Sequence, residues 1–172
     1  MNVVLVDTRD VQTGIMEKIE AHEKALLHRA FSVFIFNKKG EMLLQKRAAS
    51  KYHSAGLWTN ACCSHPQPGD NLLESASKRL NEEMGFTAIL HKAFDFIYKE
   101  PFDNGLTEHE FDHVFIGSYD GQINPNEEEV SEFCHKSLEE IKKLLVTHPQ
   151  QYTAWFRIAF PRVEEYFLKA VL

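Results

Sequence analysis

The chain has 172 residues, 44% hydrophobic and 12% aromatic, which suits one domain with a sizeable core, residues 1–172. A net charge of −6 and a pI near 5.8 exclude a general nucleic-acid binder, which needs a basic face, but not a local basic pocket for a small anion. Three cysteines, no basic-then-apolar segment in MNVVLVDTRD and no apolar run near the roughly 20 residues of a bilayer span argue against disulfides, secretion and membrane insertion, and predict a soluble cytoplasmic protein.

In chain order, Val3 to Asp7 (VVLVD) reads as a short strand, followed by a polar stretch ending at Gly14. MEKIEAHEKALLHR is helix-compatible, with loose apolar spacing. Phe31 to Asn37, a KKG turn and Glu41 to Arg47 read as a β-hairpin, because aromatic and branched residues flank a glycine-containing turn. LWTNACC reads as another strand, closed by SHPQPGD, whose prolines and glycine break regular structure.

The strongest helix pattern is NLLESASKRLNEEMG. Leu72, Leu73, Ala76, Leu80 and Met84 recur at helical spacing, and Gly85 is placed to end it. Strands AFDFIYKE and HEFDHVFIGSY follow, joined around FDNG, then a short SEFCHK and an amphipathic helix SLEEIKKLLVTH. The segment TAWFRIAFPRVEEYFLKAVL is helical, with Pro161 expected to kink or break it. Strands around one early helix, with further helices late, predict an α+β or mixed α/β domain.

Side chains alternate along a strand, so in TNACCSHP (Thr59 to Pro66) Cys63 and His65 should share one face and Cys62 take the other. The same rule in TEHEFD puts Glu108, Glu110 and Asp112 together and His109 opposite. A thiol beside an imidazole, and carboxylates beside each other, are partnerships that proton chemistry needs. The bland alternatives are a small core cysteine and the wet side of an edge strand. His22, His28, His65, Glu108 and Glu110 would make a mixed N/O site for a divalent transition ion if the fold gathers them; otherwise the histidines are surface groups. ASKRLNEEMGF, with Glu82 and Glu83, is similar to the second half of a Nudix box, whose glutamates hold a metal on a diphosphate. It departs at Lys78-Arg79, where the pattern has Arg-Glu: a cation replaces a metal-binding carboxylate.

Together, TNACCSHP, the altered Nudix helix, Glu108-His109-Glu110, the upstream histidines and Trp155 closely resemble the type I isopentenyl-diphosphate isomerases of the Nudix superfamily. These move a double bond instead of cleaving a diphosphate. The resemblance runs from about Glu17 to Trp155 and includes FSVFIFNKKGEMLLQKRAASK, AGLWTN and DFIYKE. It implies a Nudix-like fold, a mixed central sheet flanked by helices. It also implies Cys63 as the reactive cysteine and Glu110 as the essential glutamate, with Tyr98 as a supporting hydroxyl. A divalent ion (Mn²⁺, Zn²⁺ or Mg²⁺) would be held by His22, His28, His65, Glu108 and Glu110. A diphosphate-bound Mg²⁺ would involve Glu83 and backbone near Cys63. Lys18, Arg47, Lys51 and Arg79 would meet the diphosphate, and Trp155 would cover the hydrocarbon end. The His22 to His28 gap is one residue shorter than in the bacterial members, and the segment after Tyr98 is short.

The implied reaction takes isopentenyl diphosphate to dimethylallyl diphosphate through a tertiary carbocation. It needs a proton added at one carbon and one removed from a neighbour, in a site that excludes water. Cys63 and Glu110 with Tyr98 would be the two proton carriers, and the Trp155 indole would face the cation, a contact worth about 2 kcal/mol when desolvated. Which of the two protonates stays open, as does oligomeric state. The expected partner is a small allylic or homoallylic diphosphate, not nucleic acid or membrane. Two other readings compete. A Nudix hydrolase of a nucleoside diphosphate derivative leaves Cys63 and Trp155 without a task, and a non-catalytic metal-binding or interaction domain needs no paired acid and base.

Overall fold

The computed structural model describes residues 1–171, and its architecture is organised around strand β3 (His28–Phe36). β8 (Thr107–Ser118) runs parallel to β3, in register from His28↔Glu110 to Phe36↔Ser118. The other edge of β3 is shared by three strands. β1 (Asn2–Val6) meets it at His28, β6 (Cys62–Ser64) pairs Ser32 with Cys63, and β4 (Met42–Arg47) closes the hairpin at Phe36↔Met42. β2 (Gln12–Glu17) extends the sheet beyond β1, and β7 (Leu90–Pro101) lies antiparallel outside β8. β5 (Trp58–Thr59) and β9 (Val130–Lys136) pair with β4. The result is one mixed sheet, as the sequence predicts.

Alternation along β3 explains the layering. Phe31, Val33 and Ile35 enter a core with Cys62, Leu43 and Phe115, covered by α2 (Leu72–Met84) through Ala76, Leu80 and Met84. Phe34 and Phe36 enter the opposite core, covered by α3 (Leu138–Thr147) and α4 (Ala154–Val171) through Ile141, Phe156, Phe160 and Val163. Gly85 closes α2 at φ 75°, as its sequence announces, and the Asn71 side chain caps the other end by accepting from Glu74 N–H. A β-carbon at Gly85 would lie 2.1 Å from the Asn124 carbonyl oxygen, so both conformation and space require glycine.

Some expectations are corrected. The polar stretch ending at Gly14 is a turn as far as Val11, and its last residues, from Gln12, belong to β2. The helix-compatible segment divides into α1 (Lys18–Glu23), capped by the Glu17 carboxylate, and a turn that delivers His28 into β3. LWTNACC is two strands, because the Asn60 amide leaves the ladder pattern and donates to the Val33 and Cys62 carbonyls. Leu73 is 43% exposed and is not a core residue of α2. Pro161 lies inside α4 without ending it: Pro161 and Arg157 are both exposed, so the Arg157 carbonyl that loses its helical partner meets water. Leu172, last residue of that predicted segment, lies outside the described residues. Among the described residues no helix is long and apolar enough to cross a membrane.

Candidate active site

The parallel register of β3 and β8 sets His28 directly opposite Glu110. α1 adds His22, which is buried, and His65 follows β6 by one residue. Donor atoms of His22, His28, His65 and Glu110 all lie within 4.8 Å of one another. His65 Nε2 is 2.9 Å and His28 Nε2 3.6 Å from Glu110 Oε1. His28 Nδ1–H donates to the Leu26 carbonyl at 2.8 Å, which leaves Nε2 bare and only 3.3 Å from His22 Nε2. Two imidazole nitrogens aimed at one point beside a carboxylate are a donor set that fits a divalent ion. Burial, then His65, lowers the His22 pKa to about 4, so both its nitrogen lone pair and its neutrality are available to such an ion. The shorter His22 to His28 gap therefore does not keep His22 out of the cluster. Glu108 stands beside this group of four rather than within it.

Glu108, Glu110 and Asp112 share a face, and it is not the wet side of an edge strand: they are 5%, 7% and 2% exposed on a strand paired on both edges. Tyr98 faces Glu110 across β7 and β8, and its hydroxyl is 2.7 Å from Glu110 Oε2 and 2.9 Å from Glu108 Oε2. One hydroxyl proton cannot serve two carboxylates, so the pair needs a second proton. Burial and then the charge of Glu110 push Glu108 well above the carboxylate range. Burial would also raise Glu110, but His65 and His28 hold it well below that range. Glu108 therefore holds a proton more readily than Glu110. His109, on the other face, fixes the turn after α1 by donating to the Ala25 carbonyl at 3.0 Å.

Across β3, Cys63 lines the same cavity as His65, Tyr98, Glu108 and Glu110, while Cys62 is fully buried beneath α2. The Cys63 thiol donates to Asn60 Oδ1 at 3.1 Å and lies 3.4 Å from Ser32 Oγ, which donates to Asp112 Oδ2 at 2.7 Å. Burial and then Asp112 push the Cys63 pKa up, so it stays a thiol rather than a thiolate. Cys63 and Glu110 thus project from the two strands flanking β3, Cys63 level with Ser32 and Glu110 with His28.

The cavity they share has a volume near 500 Å³. Lys18, Arg47, Lys51 and Arg79 all line it. Arg79 is tied down by acids, at 2.6 Å to Glu83, 2.8 Å to Glu82 and 3.7 Å to Glu129, and Glu129 also holds Lys51. The other Glu83 oxygen accepts from Gln45 Nε2 at 2.9 Å. Arg47 lies 5.1 Å over the Trp155 ring. Among the described residues, Arg47 Nε, Arg79 Nε and Trp155 Nε1 are buried donors without a protein acceptor. Of the site residues that the resemblance implies, His22 and His28 stand in the histidine cluster and the others line this cavity, while Cys62 and His109 lie on other faces.

Sequence reasoning missed His53, Glu129, Asn60 and Ser32. No local pattern marks them. His53 sits in the loop between β4 and β5, and burial followed by Arg47 lowers its pKa to about 3, leaving the ring neutral. Glu129 follows from the pairing of β9 with β4, and Ser32 from β6 lying beside β3. Asp112 was on the predicted face without a task; the alternation along β8 was its signal.

Residues 26–156 match the NUDIX domain family. An isopentenyl-diphosphate Delta-isomerase of Pectobacterium atrosepticum is 50% identical over 167 residues, 96% of this chain and 92% of that protein. One from Photorhabdus laumondii, isopentenyl-diphosphate Delta-isomerase 2, is 47% identical, covering 95% of this chain and 96% of its own. Among solved structures, DR0079 from Deinococcus radiodurans superposes with a TM-score of 0.78 at 16% identity, over 94% of this chain and 98% of that one, a likeness of fold.

Proposed function

The chain belongs to the isopentenyl-diphosphate Delta-isomerases of the NUDIX domain family, and we propose that it moves the double bond of isopentenyl diphosphate to give dimethylallyl diphosphate. The observation that carries this reading is the placement of the Cys63 thiol and the Glu108 and Glu110 carboxyl groups in one cavity, on the two strands that flank β3. Adding a proton at one alkene carbon and removing one from a neighbour needs two proton-carrying groups on different sides of the substrate. Cys63 is one group. Glu110, linked through Tyr98 to Glu108, is the other. The carbocation between the two steps would be captured by water, and burial of these groups keeps water away. Trp155, 5% exposed, offers its ring face to that cation.

The buried donors Arg47 Nε and Arg79 Nε, with Lys18 and Lys51, suit the diphosphate end. Anchoring there supplies binding energy remote from the reacting carbons and holds the alkene in register. His22, His28, His65 and Glu110 would hold a divalent ion, Mn²⁺, Zn²⁺ or Mg²⁺, with Glu108 at its edge through Tyr98. When bound, the ion supplies positive charge that sets the proton affinity of Glu110. Glu83 is the carboxylate available to a Mg²⁺ carried with the diphosphate, provided Arg79 shifts its grip to the phosphate oxygens. Three free cysteines agree with a reducing cytoplasm.

The test is incubation of the metal-loaded enzyme with isopentenyl diphosphate in D₂O. Isomerisation puts solvent deuterium into the five-carbon product and leaves the diphosphate intact. Release of phosphate without deuterium incorporation would support a Nudix hydrolase instead. That alternative has Arg79 against it, because both box carboxylates Glu82 and Glu83 are paired with this guanidinium.

A further inference from the structure

His53 belongs to no motif in the sequence, yet its side chain is only 8% exposed and lines the cavity. Its position among aromatic groups is specific. The imidazole stacks on Phe102 at 5.0 Å between centroids with planes 16° apart, and meets the Trp155 ring edge-on at 5.8 Å and 89°. Nε2 lies 3.5 Å from Glu108 Oε1, which places the ring at the carboxylate end of the cavity, among the proton carriers. Glu129, which ties Lys51 to Arg79, lines the same cavity. The loop that carries His53 is closed by Gly56 N–H to the Arg47 carbonyl at 3.0 Å and Arg47 N–H to the Leu57 carbonyl at 2.9 Å. The His53 carbonyl itself accepts from Arg47 Nη2 at 3.3 Å.

We propose that His53 forms the end wall of the hydrocarbon pocket and thereby limits the length of the prenyl chain the enzyme accepts. This inference rests on the isomerase reading above. A diphosphate gripped by Lys51 and Arg79 would point its alkene toward Glu108 and Trp155, which Arg47 covers, and any chain longer than five carbons would continue into the space the imidazole fills. Phe102 lies on the far face of that imidazole, packed against the core that contains Trp155. Removing the ring would extend the cavity onto an apolar surface, so the added carbons of a longer chain would be buried rather than left in water. A ring stacked among aromatic groups is also a lining that suits a hydrocarbon.

The measurement is the pair of inhibition constants, against isopentenyl diphosphate turnover, for dimethylallyl diphosphate and its ten-carbon homologue geranyl diphosphate. The wild-type enzyme should discriminate against the longer chain. His53→Ala should improve the ten-carbon constant relative to the five-carbon one by about 10-fold or more, since pockets discriminate by at least that factor per methylene. His53→Phe, which refills the space with a ring, should restore the discrimination. An unchanged ratio in His53→Ala, or a His53→Phe enzyme as permissive as the alanine variant, would overturn the wall. Should the alanine variant not fold, His53→Trp keeps the question decidable, because added bulk should raise the Michaelis constant for isopentenyl diphosphate and an unchanged constant would count against the wall. A wild-type enzyme that does not turn over isopentenyl diphosphate would instead remove the functional reading, a distinct failure.

Discussion

Cys62 and Cys63 are consecutive residues of one three-residue strand, and they live in different chemistries. Cys62 packs with Val33, Leu80 and Phe115, a face that holds α2 to the sheet. Cys63 turns to Asn60, Ser32 and a cavity lined by charged groups. The same division runs along β8, where Phe111, His113 and Phe115 oppose Glu110, Asp112 and Val114. A buried carboxylate or imidazole alone costs several kcal/mol. The polar face tolerates three carboxyl groups and three imidazoles because each finds another, and because several give up their charge. The face under α2 is apolar, whereas the other carries the reactive groups at one end and a second apolar core, with Phe34, Phe36 and Val114, at the other.

Breaking the polar face should be felt first in turnover. Prolonged chelation should abolish isomerisation, and readdition of a divalent ion should restore it; full activity after verified removal of all divalent ions would exclude a role for the histidine cluster. The two cysteines separate the faces more finely. Cys63→Ala should lower turnover by about 10²–10⁴-fold with the fold intact, the usual contribution of a positioned proton carrier. Cys62→Ala should keep most turnover and lower stability, because it only empties a small volume beneath α2. Denaturant melts and turnover measured on both variants decide this. A dead Cys62→Ala beside an active Cys63→Ala would reverse the assignment of the faces.

The apolar face yields its own contrast. Leu80→Ala, in the core under α2, should cost about 2–5 kcal/mol in denaturant unfolding. Leu73→Ala, on the exposed side of the same helix, should change stability by no more than about 0.5 kcal/mol. Equal effects would mean that the helix is rotated from the position described.

Those two leucines also show what the sequence can and cannot carry. Helical spacing identified α2, and Gly85 its C-terminal end, since both are local features. It did not separate Leu73 from Leu72, because adjacent residues differ by only about 100° around a helix and the packing partner decides which is covered. Strand alternation placed Cys63 with His65 and Glu108 with Glu110 for the same local reason. β2 escaped notice because it is largely exposed and lacks alternation. His53, Ser32, Asn60 and Glu129 escaped because their neighbours are set by strand register and by one loop, over separations that no residue pattern encodes. The metal donors were named through resemblance; their meeting depends on His28 facing Glu110 across two parallel strands.

The smallest effect expected is a pH dependence that belongs to the polar face alone. His22 has its pKa lowered from 6.5 to about 4, by burial and then by His65. In the metal-free protein, between those two values, the unfolded chain binds a proton at this residue that the folded chain does not. Stability from His22 is therefore complete above about pH 6.5 and falls as pH is lowered, with a slope of up to about 1.4 kcal/mol per pH unit. Glu108, Asp112 and Glu83 have raised pKa values and act in the opposite sense over the same range, so the whole-protein curve does not isolate the histidine. The difference between wild type and His22→Gln does. Urea unfolding of both metal-free proteins from pH 7 to 4.5 should show the wild type losing stability relative to the variant as pH falls. Parallel curves would mean that His22 titrates alike in both states, and that the polar face is wetter than its geometry describes.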